Sequence, residues 1–362
     1  MRLTVLAATL VLLAGCGNEP VAQAVAAVPT QKPEMKTFRD WWDACGAFNT
    51  CSAYAQAVDY GVGWIRVGRE AGPDGKAIIA AGFAPDTREG ELALIVDGVR
   101  WPLSDGDGGC PDCALPDTDW GEYSGDGDAL ARAIAQAREI RVAHGKESQA
   151  LNASGAAAAL LWIDERQGRI GTTTAWLRRG DRSANTVPAA LPAPVVTAAP
   201  AEQQTGFDPE TRVTPAPVKR LAEACRASED TGDEGESRLP SPEGARLNAS
   251  TELWGVACGE GGYFSLLHDW YLTGPNGVNP RPLALPSADG TQLDQTTNGA
   301  YDPATRTLSM FEKGRGIGDC GIIRSWVWTG ERFELSEEIV SDLCAGVPWD
   351  HWAALWQADV RR

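Results

Sequence analysis

Residues able to do chemistry are gathered most densely between Met310 and Leu335, MFEKGRGIGDCGIIRSWVWTGERFEL. Gly314, Gly316 and Gly318 offer the spacing of a nucleotide loop, but such a loop must feed a helix whose N-terminus holds the phosphate. Ile322 to Trp328 has the composition of a strand instead, and no Lys-Ser or Lys-Thr follows the glycines. The glycines are therefore expected to allow positive φ in a tight turn or bulge that sets Cys320 for a disulfide. Arg315 and Asp319 are expected to pair across that turn, with contact to a ligand as the alternative role for the two. Glu312 and Asp319, flanked by tryptophans, are the carboxylates that hydrolysis of a wall glycan or peptide would use, provided that they converge in a cleft.

Elsewhere the chemistry-bearing residues point to bracing. Cys110-Pro111-Asp112-Cys113 has the spacing of a redox centre, yet a reactive thiolate needs positive surroundings, and Asp105, Asp107, Asp112, Asp117 and Asp119 crowd the motif. A structural disulfide is expected there. The acidic stretch from Asp105 to Asp128 offers hard oxygen ligands for calcium, but no window reproduces the carboxylate spacing of an EF-hand, so a solvated loop is expected. His144, His268 and His351 are the only histidines, and none stands in zinc-site spacing. There is no GxSxG elbow. No catalytic residue, metal or cofactor is assigned.

The N-terminus bears on the compartment. Arg2 precedes an apolar run from Leu3 to Leu13, which is shorter than the ~20 residues that span a bilayer and suits an export signal. Leu13-Ala14-Gly15-Cys16 resembles the lipobox of bacterial lipoproteins. That resemblance implies cleavage before Cys16, lipid on its sulfur and, because Gly17 is not the Asp of inner-membrane retention, an outer-membrane location facing the periplasm. Setting Cys16 aside leaves eight of the nine cysteines, an even number in a compartment where disulfides persist. Pairing by proximity joins Cys45 to Cys51, Cys110 to Cys113, Cys225 to Cys258 and Cys320 to Cys344, although eight cysteines allow 105 arrangements. The formal net charge of −17 makes nucleic acid a poor partner and a cationic protein, or simple solubility, the natural reading.

The elements that must position these residues are mostly strands. At 362 residues the chain suggests about two domains. The expected division is a signal peptide over 1–15, a flexible tether over 16–36, a β-rich domain over 37–187, a Pro/Ala-rich linker over 188–217 and a second β-rich domain over 218–362. In the first domain, Gly63 to Val67, Ala77 to Phe83, Leu92 to Val96 and Val99 to Leu103 read as strands, with Asp97-Gly98 as a hairpin turn. Asp128 to Val142 and Ser154 to Gln167 read as helices, and Thr172 to Leu177 as a strand. In the second, Val218 to Cys225 reads as a short helix. Glu252 to Cys258, Tyr263 to Thr273, Thr307 to Phe311, Ile322 to Trp328 and Phe333 to Leu335 read as strands. A terminal helix is expected with Trp349, Trp352, Leu355 and Trp356 on one face. The fold class is mainly β with some α (α+β): two antiparallel-sheet domains, disulfide-braced.

Several segments together carry a family resemblance: GRGIGDCG followed by WVWTGERFEL, the early DWWDACGAFNTC, AALLWIDERQGRIGTTTAWLRRG and the terminal LWQADV. They resemble a bacterial envelope family known as domain of unknown function 1176, and the first half is faintly similar to periplasmic proteins of the invasion-associated locus B type. The resemblance implies compartment and fold and brings no activity with it. The expected function is a non-catalytic envelope lipoprotein that binds another component, a cationic envelope protein being the concrete version. A hydrolase of wall glycan or peptide is the alternative.

Overall fold

The computed structural model describes residues 31–87, 89–106, 118–228, 239–261 and 265–362. Cys16, the Cys110–Cys113 pair and the centre of the acidic loop lie outside the described residues.

The early segments WWDAC, CSAYAQ and GWIRVGR carry small or apolar residues at odd and even positions alike, so a strand made from them must be covered on both faces. They form the middle of a seven-stranded antiparallel sheet. Its members are β1 (Glu34–Phe38), β2 (Trp41–Cys45), β3 (Cys51–Gln56), β4 (Gly63–Arg69), β5 (Ala77–Phe83), β8 (Ser104–Asp105) and β9 (Asp119–Glu122), in the order β1-β2-β3-β4-β5-β9-β8. β1 begins at Glu34, inside the stretch expected as tether. One face, with Trp41, Ile65, Val67 and Ile79, closes a core with α1 (Gly127–Gln136), α2 (Ala156–Arg166) and a second sheet. That sheet takes the order β11-β10-β6-β7, from β6 (Leu92–Val96), β7 (Val99–Pro102), β10 (Ile140–His144) and β11 (Glu147–Leu151).

Two elements differ from expectation here. The apolar spacing from Leu130 to Ile140 suggests one helix, but α1 stops at Gln136 and Ile140 opens a strand paired with β6. The Asp97 carboxylate accepts the backbone N–H groups of Arg138 and Glu139, both at 3.0 Å, which fixes the chain in a new direction directly after the helix. Thr172 to Leu177 is not a strand. Its last two donors go to a side chain instead, since Asp164 accepts the N–H groups of Trp176 and Leu177 at 2.7 and 2.9 Å.

The C-terminal half contains a sheet ordered β13-β14-β15-β16, from β13 (Glu243–Asn248), β14 (Thr251–Gly261), β15 (Ser265–Thr273) and β16 (Arg281–Pro282). The short strands β17 (Leu285–Pro286) and β18 (Gln292–Leu293) pair with each other, and β19 (Gln295–Thr297) joins β15. A further sheet runs β20 (Ala300–Asp302), β21 (Thr307–Lys313), β22 (Gly321–Trp328), β23 (Phe333–Ser341) and β24 (Ala353–Gln357) in that order. Leu247, Leu253, Trp270, Trp326 and Phe333 fill the core between these sheets. α3 (Ala216–Ser228) covers Trp254 and Val256 of β14. Disulfides join Cys45 to Cys51, Cys225 to Cys258 and Cys320 to Cys344. The stretch expected as a linker supplies β12 (Val195–Thr197), paired in parallel with β25 (Asp359–Arg361).

The expected terminal helix is absent. Trp349–His351 makes one 3-10 turn, and the following residues form β24 and β25. The edge of β23 is open to pairing, and Ala353 and Leu355 alternate into a core while Trp356 donates its indole N–H to Leu335 O at 3.0 Å. A period of two satisfies the backbone of β23 as well as the side chains, which a helix would not do.

The second face of the seven-stranded sheet packs on the C-terminal half. Trp42, Ala44, Tyr54, Trp64 and Trp120 meet Val340, Leu343, Val347, Trp352 and Leu355. Polar contacts cross the same seam: the Tyr54 hydroxyl donates to His351 O at 2.7 Å, and Ala47 N donates to Leu355 O at 2.9 Å. Gly46 is required there, because a Cβ would stand 2.2 Å from Ala354 O. Among the described residues no helix is long and apolar enough to cross a membrane.

Candidate functional site

The glycine-rich stretch is the connection between β21 and β22. Gly314 N donates to Cys320 O at 2.8 Å and Gly318 N to Arg315 O at 2.9 Å, while Gly318 has φ of 74°. Gly321, at φ 134°, leaves no room for a side chain, because a Cβ would lie 2.0 Å from Glu312 O. The turn holds Arg315 against Asp319 in a forked pair, Nε to Oδ1 at 2.7 Å and Nη2 to Oδ2 at 2.6 Å. The same Nη2 donates to Cys344 O at 2.8 Å. Asp319 is fully buried, whereas the Arg315 side chain is 44% exposed and its pKa is raised by the carboxylate it grips. Next to Asp319, Cys320 is bonded to Cys344. The two ligand-contact candidates are thus committed to each other, and only the outer face of Arg315 meets solvent.

Glu312 has a different setting. It is exposed on β21 and lines a groove of about 470 Å³ between the two halves. Met35, Thr37 and Trp42 form one wall, and Ile322, Val340 and Asp342 stand on the other. Among the described residues β1 is the edge strand of its sheet and pairs only with β2. A groove with apolar walls, charged rims and a strand edge has the ingredients to receive an extended segment of another chain, whose backbone would extend the sheet. With both oxygens of Asp319 held by Arg315, that carboxylate is not poised for acid or base chemistry beside Glu312.

The histidines lie in three separate settings. His144 sits against Asp119 and bonds Gly90 O at 2.9 Å. His268 is buried on β15, and that burial lowers its pKa. His351 is walled by Trp120 in edge contact at 4.5 Å, with Arg66 Nη1 3.4 Å from its Nδ1. Burial first, then the Arg66 charge, push the His351 imidazole down to about 4, so it is neutral at pH 7.

Two buried polar features were not singled out as sites from sequence. Arg69, Asp164, Arg169 and Gln167 are all buried, with Arg69 over the Trp176 ring and Gln167 donating to Asn49 O and Arg69 O. These groups brace loops around α2. Burial raises the Asp164 carboxyl to about 6 against the pull of backbone donors and Arg69. The second feature is Asp43, wholly buried in β2 with neither oxygen hydrogen-bonded among the described residues. Burial pushes its carboxyl up to about 8. The signal in the sequence was an acid inside the apolar run WWDAC.

A family model described as protein of unknown function (DUF1176) matches residues 35–359. The uncharacterized protein YpfG of Escherichia coli strain K12 is 28% identical over 348 residues, covering 90% of this chain and 93% of its own length. No solved structure matches the chain.

Proposed function

We propose that this chain, which belongs to the DUF1176 family of proteins of unknown function, is a non-catalytic, lipid-anchored envelope protein that docks a cationic protein partner. The observation that carries the reading is the groove between the halves, where the edge of β1 runs beside apolar walls from both sheets. Two disulfide-braced antiparallel-sheet domains that share a core make a stiff platform for such docking, so little ordering entropy is lost on binding. The net charge of −17 draws a cationic partner by long-range attraction, and at the groove itself Glu312 and Asp342 place exposed carboxylates beside Lys36 and Lys313. Lipid on Cys16 would hold the platform at the outer membrane, facing the periplasm. The competing hydrolase reading would need Asp319 free to act with Glu312, and Arg315 occupies it.

Egg-white lysozyme serves as a cationic probe. The expected result is a complex at low ionic strength that weakens as salt rises, and that weakens about ten-fold in the double variant Glu312→Lys, Asp342→Lys. No complex at low salt, or equal affinity of the variant, would overturn the reading. For the anchor, Cys16→Ala should move the protein from the membrane fraction to the soluble fraction on cell fractionation.

A further inference from the structure

A second cavity, separate from the groove, lies at the open edge of β13. There the segment from Gln204 to Arg212 closes the sheet, because the Gln204 amide imitates a strand. Its Nε2 donates to Arg246 O at 3.0 Å and its Oε1 accepts from Arg246 N at 2.9 Å. Arg212 extends the strap by donating to Pro242 O at 2.8 Å. Between strap and sheet is a cavity of about 360 Å³ bounded by Phe207, Asp208, Arg212, Glu243, Trp270 and Tyr301.

Glu243, Gly255 and Trp270 are directly opposite one another on β13, β14 and β15, so they share one face of the sheet. A Cβ at Gly255 would come 2.7 Å from the Trp270 ring and 3.1 Å from Glu243 Cγ. Glycine at the centre of this row lets the Trp270 indole and the Glu243 side chain close over it, so that both stand side by side in the cavity wall. In the wall, the Tyr301 hydroxyl is buried beside the Arg306 guanidinium, whose charge works against the upward push of burial on its pKa. Glu243 is half-buried, and no hydrogen bond or close ion pair satisfies it among the described residues. Burial raises its pKa, and the Arg212 charge pulls it only part of the way back.

We infer that this pocket binds an alkylammonium group, with the charge set against Glu243 and the carbon skeleton against the Trp270 and Tyr301 rings. The ionisable groups of the wall are Glu243, Asp208 and Arg212, with Arg306 against Tyr301 and Arg246 over the Phe207 ring. A neutral apolar guest would leave the half-buried Glu243 carboxylate with only the Arg212 charge to offset its burial. A cation satisfies the carboxylate and gains from the negative faces of the rings, as cages for quaternary ammonium groups do. Asp208 is held in position, since its Oδ1 accepts the N–H groups of Glu210 and Thr211 at 2.9 and 3.3 Å.

The test titrates the full chain by calorimetry and saturation-transfer NMR with choline chloride, n-butylammonium chloride and the neutral isostere 3,3-dimethylbutan-1-ol. At least one cation should bind, about ten-fold or more tighter than the isostere. Preference for choline would indicate a quaternary ligand, and preference for butylammonium a lysine-like amine. Glu243→Gln should weaken binding about ten-fold, with Glu243→Asp retaining part of it and both variants melting near the native temperature. Affinity should rise with pH as Glu243 ionises. The inference is overturned if neither cation binds, if the isostere binds equally, or if the folded Glu243→Gln variant binds as the native chain does.

Discussion

Asp43 shows how a single residue can run against its surroundings. Its carboxyl is buried between strands with no hydrogen bond among the described residues, and burial alone raises it to about 8. In the unfolded chain it ionises near the ordinary aspartate value of about 3.9. Between these values the unfolded state has released a proton that the folded state keeps, so stability falls as pH rises through the window. The slope contributed is up to about 1.4 kcal/mol per pH unit. Asp43→Asn removes that term, so its stability relative to the native chain should climb steadily from pH 4 to pH 8 in urea melts. A difference that stays flat across that range would mean that Asp43 is solvated or paired. Legibility was uneven at this scale. Arg315 and Asp319 four apart on a glycine turn announced their pairing, because the short loop leaves the two groups few other partners. Asp43 did not, because only the third dimension tells whether both faces of WWDAC are covered.

At the scale of elements, local signals held where a turn depends on its own backbone and gave way where a distant strand offered pairing. Asp97-Gly98 reads as a hairpin, and the two residues adopt φ of 46° and 80°, the left-handed pair that a two-residue turn between twisted strands requires. The same Asp97 stops α1 from reaching Ile140 by accepting two backbone donors, a long-range role hidden in the sequence. The terminal tryptophans fit a helical face equally well as a pattern. The edge of β23, along which β24 pairs and which sequence periodicity does not reveal, decided for a strand. Asp97→Ala combines positive-φ strain with loss of both hydrogen bonds and should cost about 2–3 kcal/mol in thermal or urea unfolding. Asp97→Asn tolerates the left-handed conformation and keeps an acceptor, so it should cost less than half as much. Equal losses in the two variants would show that the charge, and not the turn, matters.

The whole molecule is governed by the second face of the seven-stranded sheet. Composition and length suggested separate halves joined by a proline-rich linker, and each half does have a core of its own. What the sequence could not convey is that the early strands, apolar on both faces, need a second cover, and that the cover comes from Val340 to Leu355. A third core therefore couples the halves. Each large apolar side chain buried there is worth about 1.5–3 kcal/mol, so Trp42, Trp64, Leu343 and Leu355 together make separation expensive without any help from the connecting chain. The connecting chain is itself strapped down, since β12 pairs with β25 and Ala199 N donates to Trp328 O at 2.9 Å. Residues 200–203 are exposed between these anchors, which makes them the place to cut. With a specific protease site inserted between Ala201 and Glu202, the cleaved fragments should coelute on size exclusion and unfold in one transition. Leu355→Ala, expected to cost about 2–5 kcal/mol by opening a cavity in the shared core, should lower the denaturant at which the cleaved fragments part. Fragments that separate without denaturant would make the groove between the halves a mobile cleft. The affinity of the lysozyme probe would then drop in the cleaved protein, because a docking site built from both sheets holds its shape only while they stay together.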